Sequence, residues 1–320
     1  MAQQPNNKKQ ASKDANRPVA TTTKRTAPTK AKRRSTSSLL TWGAIALVVV
    51  VVAVLVIVKI TGGSSSNANG GGGSTPAPAS IVSAVTKIPA SVYDTVGIDS
   101  PSVAVTKPTE IKDQTALTLA DPAGGTKPGV VYIGAEYCPY CAAQRWAVVA
   151  SLSRFGSFGD LQVTDSSSTD VFPNTPSLSF HKATFSSPYL VFQGVEQYSN
   201  VPDPGKGYKK LQDLTKAQVA LITKYDTAKY LPGASPGSIP FLDMGNRFLV
   251  AGSSFSPSIL SGLSRSEIAS GLSDPTNPAT QAIIATSNYL SASICATTNQ
   301  QPSSVCGSKG VTAAAKAMGL

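Results

Sequence analysis

Cys138 and Cys141, in the stretch Glu136-Tyr137-Cys138-Pro139-Tyr140-Cys141, are the side chains of this 320-residue chain whose type and spacing best suit chemistry. A C-x-x-C pair fits three roles: half of a zinc site, a short structural disulfide, or a dithiol that exchanges with other disulfides. The other two cysteines, Cys295 and Cys306, enclose the polar, turn-rich segment ICATTNQQPSSVC. Their spacing matches no common zinc pattern, and a structural disulfide is expected. His181 is the single imidazole and has no Cys, Asp or Glu ligand set around it in sequence. No metal is expected, and His181 is read as a satisfied or exposed side chain.

The elements around the first pair favour the redox role. Gly129–Ala135 reads GVVYIGA, a short apolar run consistent with a buried strand. Ala142–Phe155 reads AAQRWAVVASLSRF, with a helical apolar period through Trp146 and Val149. The cysteines therefore fall where a strand ends and a helix begins. Free N–H groups and the partial positive charge of a helix N-terminus stabilise a thiolate. Cys138 is expected there as the exposed thiol with a lowered pKa, and Pro139 suits the first helical turn. Cys141, one turn on, is placed to resolve a mixed disulfide. Glu136 is expected as an exposed flanking acid, Arg145 on a solvated helix face and Trp146 in the core.

Ser238-Ile239-Pro240-Phe241-Leu242-Asp243, followed by Met244-Gly245-Asn246-Arg247-Phe248-Leu249-Val250, reads as strand, Gly-Asn turn, strand. A proline that opens such a strand fits a tight turn, cis or trans. Together with the cysteine motif, these residues resemble the thioredoxin superfamily: strand, C-x-x-C, helix, and later a cis-Pro before a hairpin that faces the cysteines. CPYC is also the dipeptide choice of the glutaredoxins. The longer strings VVYIGAEYCPYCAAQRWAVVASLSRFG and IPFLDMGNRFL are similar to a membrane-anchored, thioredoxin-like family called domain of unknown function 929. The resemblance implies an α/β, thioredoxin-like fold with an insertion between the CxxC helix and the cis-Pro strand. It also implies Cys138 and Cys141 as catalytic residues and a substrate groove shaped by Ile239 and Pro240. Tyr137 departs from the pattern, standing where thioredoxins usually place Trp, and so does the long stretch from Cys141 to Pro240.

Composition locates the rest. Charged residues are only 14% of the chain and Gly plus Pro number 49, which excludes coiled-coil, collagenous and wholly disordered classes. The net charge of +11 sits in a tail: residues 1–38 carry ten of the 28 basic and one of the 17 acidic side chains. No nucleic-acid partner is implied. That tail lacks aromatic residues and apolar periodicity and is expected to be disordered and cytoplasmic. Leu39–Val58 holds no charge, and a single transmembrane helix is expected over 39–60, with the positive tail setting the N-terminus inside. A Gly/Ser linker is expected over 61–80 and an extracytoplasmic domain over 81–320. Within that domain, strands are expected at Leu161–Thr164 and Tyr189–Tyr198, an irregular loop at Ser166–Ser187 and a helix at Leu214–Thr227. Ser264–Ser293 is expected to be helical, broken at Asp274–Pro278. The expected function is a membrane-tethered thiol–disulfide oxidoreductase acting on cysteines of exported proteins with a further redox partner, as a monomer and without a cofactor. The alternative is a non-catalytic thioredoxin-like binding or scaffold module.

Overall fold

The run GVVYIG is apolar at every position instead of alternating, and a strand buried on both faces requires that. The computed structural model describes residues 72–99 and 103–320. The first half comprises β1 (Thr75–Pro76), α1 (Ala79–Thr86), α2 (Ala90–Val96), β2 (Thr109–Glu110), β3 (Thr118–Ala120), β4 (Thr126–Gly134) and α3 (Pro139–Leu152). Then follow β5 (Ser157–Gly159), β6 (Gln162–Asp165), β7 (Pro176–Ser179), β8 (Thr184–Ser186), β9 (Val191–Glu196), β10 (Tyr198–Asp203) and β11 (Gly207–Lys210). The remainder is α4 (Lys216–Tyr225), β12 (Phe241–Met244), β13 (Phe248–Ala251), α5 (Arg265–Gly271), α6 (Pro278–Thr297), α7 (Ser303–Cys306) and α8 (Lys309–Met318).

Strand β4 is the axis of a six-stranded sheet. It pairs in parallel with β9, Gly129 to Gly134 against Val191 to Glu196, and antiparallel with β12, Val130 to Ile133 against Met244 to Phe241. Strands β13 and β2 extend the β12 side, and β3 pairs with the first residues of β4. The period of two sorts the side chains. Val130, Tyr132, Leu242, Met244 and Phe248 face the larger core with α3 and α6, and Val131, Ile133, Phe241 and Leu249 face a smaller one with Tyr225 and Leu231. Three residues, Gly245 to Arg247, join β12 to β13: the Arg247 N–H returns to the Met244 carbonyl at 3.3 Å, and the two central positions of that turn are left-handed, Gly245 at φ +73° and Asn246 at φ +52°.

The expected thioredoxin-like fold behind a transmembrane helix is corrected. The described residues form a mixed α/β unit with four sheets: the six-stranded sheet, a three-stranded one ordered β1-β6-β7, and the pairs β5-β8 and β10-β11. The stretch expected as an irregular loop, 166–187, supplies β7 and β8, because backbone groups packed over a core must find partners. Among the described residues no helix is long and apolar enough to cross a membrane. Helix α6 has 20 residues, but Thr, Gln, Ser and Asn recur along it and it is buried in protein. The expected tail at 1–38 and span at 39–60 lie outside the described residues. The end of the expected linker belongs to the fold: Thr75 and Pro76 pair with Val163 and Gln162, and α1 begins at Ala79.

Cys295, near the end of α6, is bonded to Cys306 at the end of α7, 11 residues on. A loop of that length constrains the unfolded chain by about 2–4 kcal/mol. Replacing both cysteines by Ala in the full-length protein is expected to lower stability by about that much. Urea unfolding measures it, and an unchanged midpoint contradicts the expectation.

Candidate functional site

Helix α3 starts at the cysteine motif for local reasons. Cys138 is its N-cap, at φ −78° and ψ 122°, and the Cys138 sulfur accepts the Cys141 N–H at 3.3 Å, where Ser or Asp would offer oxygen. Pro139 occupies the first turn, in which no N–H is needed. Both thiols are free and buried, Cys138 at 6% exposure and Cys141 at 0%. Cys138, expected to be exposed, is instead almost wholly covered, and Cys141 lies behind it with no exposed surface.

Their environments differ in sign. A hydrogen bond from the Cys141 thiol holds the Cys138 pKa below its usual value, outweighing burial, and the amides of Cys141 and Tyr140 and the Arg145 charge add to it. Burial pushes the Cys141 thiol far up, and its hydrogen bond to Cys138 pushes the same way. The thiolate is thus favoured at Cys138, and the Cys141 thiol keeps its proton.

Ile239 and Pro240 face this pair. Their peptide bond is cis. The Cys138 thiol donates to the Ile239 carbonyl at 3.8 Å across 101 residues of sequence. Pro240 is buried and Ile239 half-buried, immediately before β12.

Arg145 and Glu136 do not lie where sequence reasoning put them. Arg145 is fully buried and grips Glu196 with both arms of its guanidinium, Nε to Oε1 at 2.8 Å and Nη2 to Oε2 at 2.7 Å. It also donates to the Ala135 carbonyl at 2.6 Å and to Ser177 Oγ at 3.2 Å. Burial pushes the Glu196 carboxyl up, opposed by the Arg145 charge. Glu136 is likewise fully buried: Ser179 Oγ donates to its Oε1 at 2.6 Å, while Oε2 has no hydrogen-bond partner among the described residues. The helix face that carries Arg145 is covered by β7, so it is not solvated.

Glu196 was missed in the sequence. Its signal was a lone acid in the apolar strand VFQGVE, in register with Gly134 and thus beside the motif. Tyr132 packs into the same place, and a Cβ on Gly134 would meet its hydroxyl at 2.5 Å, so only glycine fits there. Trp146 is core, its indole N–H bonded to the Pro176 carbonyl. His181 is half-buried, and among the described residues no group of His, Cys, Asp and Glu is arranged to hold a metal.

Residues 117–296, more than half of the chain, match the model of a family whose description is a domain of unknown function. No curated protein and no solved structure matches the chain.

Proposed function

The chain belongs to the family described as a domain of unknown function (DUF929), and we propose that its chemistry is thiol–disulfide exchange, with Cys138 attacking and Cys141 resolving. The observation that carries this reading is the opposed poise of the two sulfurs, Cys138 lowered and Cys141 raised, at a helix N-terminus. In the reducing direction the Cys138 thiolate attacks one sulfur of a substrate disulfide. A Cys138–substrate S–S bond forms, the substrate bond breaks, and the departing thiolate takes a proton. Cys141 then gives up its proton and attacks the Cys138 sulfur, forming the Cys138–Cys141 disulfide and releasing the second substrate thiol. The substrate gains two electrons, and an external dithiol donor restores the pair. Run backwards, the same steps oxidise a dithiol, with an external disulfide as acceptor.

The Ile239 carbonyl beside Cys138 is the backbone edge along which an extended substrate segment would lie. Kinship with the thioredoxin superfamily is part of the proposal and concerns this site, not the sheet arrangement. The substrates are cysteine pairs of exported proteins. The Cys295–Cys306 disulfide supports an oxidising compartment as the place of reaction.

In the full-length protein, alkylation of Cys138 is expected to titrate below the ordinary thiol value of about 8.5. The Cys141→Ser variant is expected to accumulate mixed disulfides that reductant releases. A Cys138 with an ordinary titration and a variant that traps nothing would sink the proposal and leave the binding-module reading in its place.

A further inference from the structure

Large apolar side chains left in solvent are few on the described surface, and they are not scattered. Tyr140 (40% exposed), Val171 (67%) and Tyr198 (37%) are three of the five exposed ones among the described residues, and all three belong to segments that touch the cysteine motif. Tyr140 lies between the cysteines, and its ring meets Phe172 edge-on at 5.9 Å. Tyr137, just before Cys138, stacks on Tyr208 of β11 at 4.4 Å with the rings 7° from parallel. The Tyr198 carbonyl accepts the Glu136 N–H at 2.8 Å.

This collar is built to stay in place. Ser167 ties its parts together: its N–H donates to the Tyr137 carbonyl at 2.8 Å, and its hydroxyl accepts from the Tyr208 hydroxyl at 2.6 Å. The loop that carries Val171 and Phe172 is closed by Ser166 and Thr175, whose hydroxyls both donate to the Phe172 carbonyl. Those bonds hold the loop in one shape, yet Val171 points into water. A loop ordered at the expense of exposing apolar surface is pre-organised for contact.

Resting on the exchange chemistry proposed above, we infer that this collar selects substrates: it takes an extended segment in which bulky apolar or aromatic residues flank the reacting cysteine. The thiol names half of the occupant, since only a sulfur can be exchanged at Cys138. Cys138 is only 6% exposed, so that sulfur must arrive on a narrow, unfolded stretch rather than on a globular face. The collar names the other half. Its contact side chains are rings and a Val, which reward apolar neighbours of the substrate cysteine.

The test uses the reduced full-length protein and short linear peptides with one central cysteine, each as its symmetric disulfide. Flanking residues are Leu and Phe in one peptide and Ser and Asn in the other. Bis(2-hydroxyethyl) disulfide, which has no side chains to read, is the reference. Exchange with the Leu/Phe peptide is expected to be about 10- to 100-fold more efficient than with the Ser/Asn peptide, the range for burying one or two apolar groups. Phe172→Ala and Val171→Ser are each expected to shrink that ratio several-fold while exchange with the small reference persists. Equal rates for the two peptides, or a preference that survives both variants, overturns the collar proposal alone. Failure of the wild-type protein to exchange with any of the three disulfides overturns the chemistry, and the collar proposal with it.

Discussion

Replacing Arg145 by Met while Glu196 stays is expected to destabilise the folded protein by about 3–5 kcal/mol, the loss that follows when one half of a buried ion pair is removed. Both side chains are completely buried, and the contact is bidentate. Without the guanidinium, Glu196 keeps only the Phe180 N–H at 3.3 Å, and the Ala135 carbonyl and Ser177 hydroxyl lose a donor each. Glu136 adds a second carboxyl to the same interior. The double variant Arg145→Met with Glu196→Gln is expected to recover much of the loss, because no uncompensated charge is left behind while the Gln oxygen still accepts from Phe180. Urea unfolding of the full-length proteins reads both values, and a single-variant cost under about 1 kcal/mol contradicts the account. A second readout is chemical. The Arg145 charge helps to hold the Cys138 thiolate, so the alkylation profile of Cys138 is expected to move to higher pH in any Arg145→Met protein that folds.

Stability is expected to fall as pH rises from about 4 to about 7, and Asp243 is the largest identified cause. Asp243 lies on β12 with no exposed surface, facing the smaller core. Burial raises its pKa from 3.8 to about 7, against the Asn246 N–H, which donates to Oδ1 at 2.7 Å, and the charge of Lys224. Oδ2 has no hydrogen-bond partner among the described residues. A carboxyl with a higher pKa in the folded state holds its proton longer there than in the unfolded chain. Folding is therefore unhindered below the unfolded value, loses ground through the window between the two, and carries a constant penalty above the folded one. For these two pKa values the loss between pH 5 and pH 8 is about 2–3 kcal/mol. Asp243→Asn removes that dependence, so the variant is expected to gain on the wild type by this amount from pH 5 to pH 8. A constant difference between the two proteins across that range shows that Asp243 does not titrate there. The comparison with Asn isolates Asp243 from Asp165, Asp226 and Glu196, which burial also raises.

Local features were readable because local rules govern them. The helix starting at Cys138-Pro139, the Gly245-Asn246 hairpin and the break between α5 and α6 each follow from a few neighbouring residues: a cap, a proline, two left-handed positions. The apolar run of β4 announces a strand buried on both faces, and it is the axis of the largest sheet. Pairing of the two cysteines nearest the C-terminus follows from their separation and the polar loop between them.

Burial of charge was not readable, since it depends on what folds over a side chain from elsewhere. On α3 alone Arg145 looks like one polar position in an amphipathic helix, and only the arrival of β7 and β9 encloses it and supplies Glu196. Glu136 looks like a flanking acid until Ser179, 43 residues on, covers it. The short strands β7 and β8 were hidden for the same reason: Ser, Pro and Thr favour loops locally, and only pairing with β6 and β5 makes them extended. Neighbouring residues alone place Cys138 and Cys141 at the start of a helix and a β-hairpin after Pro240. Only long-range packing puts a buried Arg145–Glu196 pair behind the sulfurs, and the rings of Tyr208, on β11, and Phe172, between β6 and β7, in front of them. Residues 51 and 71 positions apart meet there because the six-stranded sheet and its neighbours fold onto one helix end, a long-range fact that no local preference encodes.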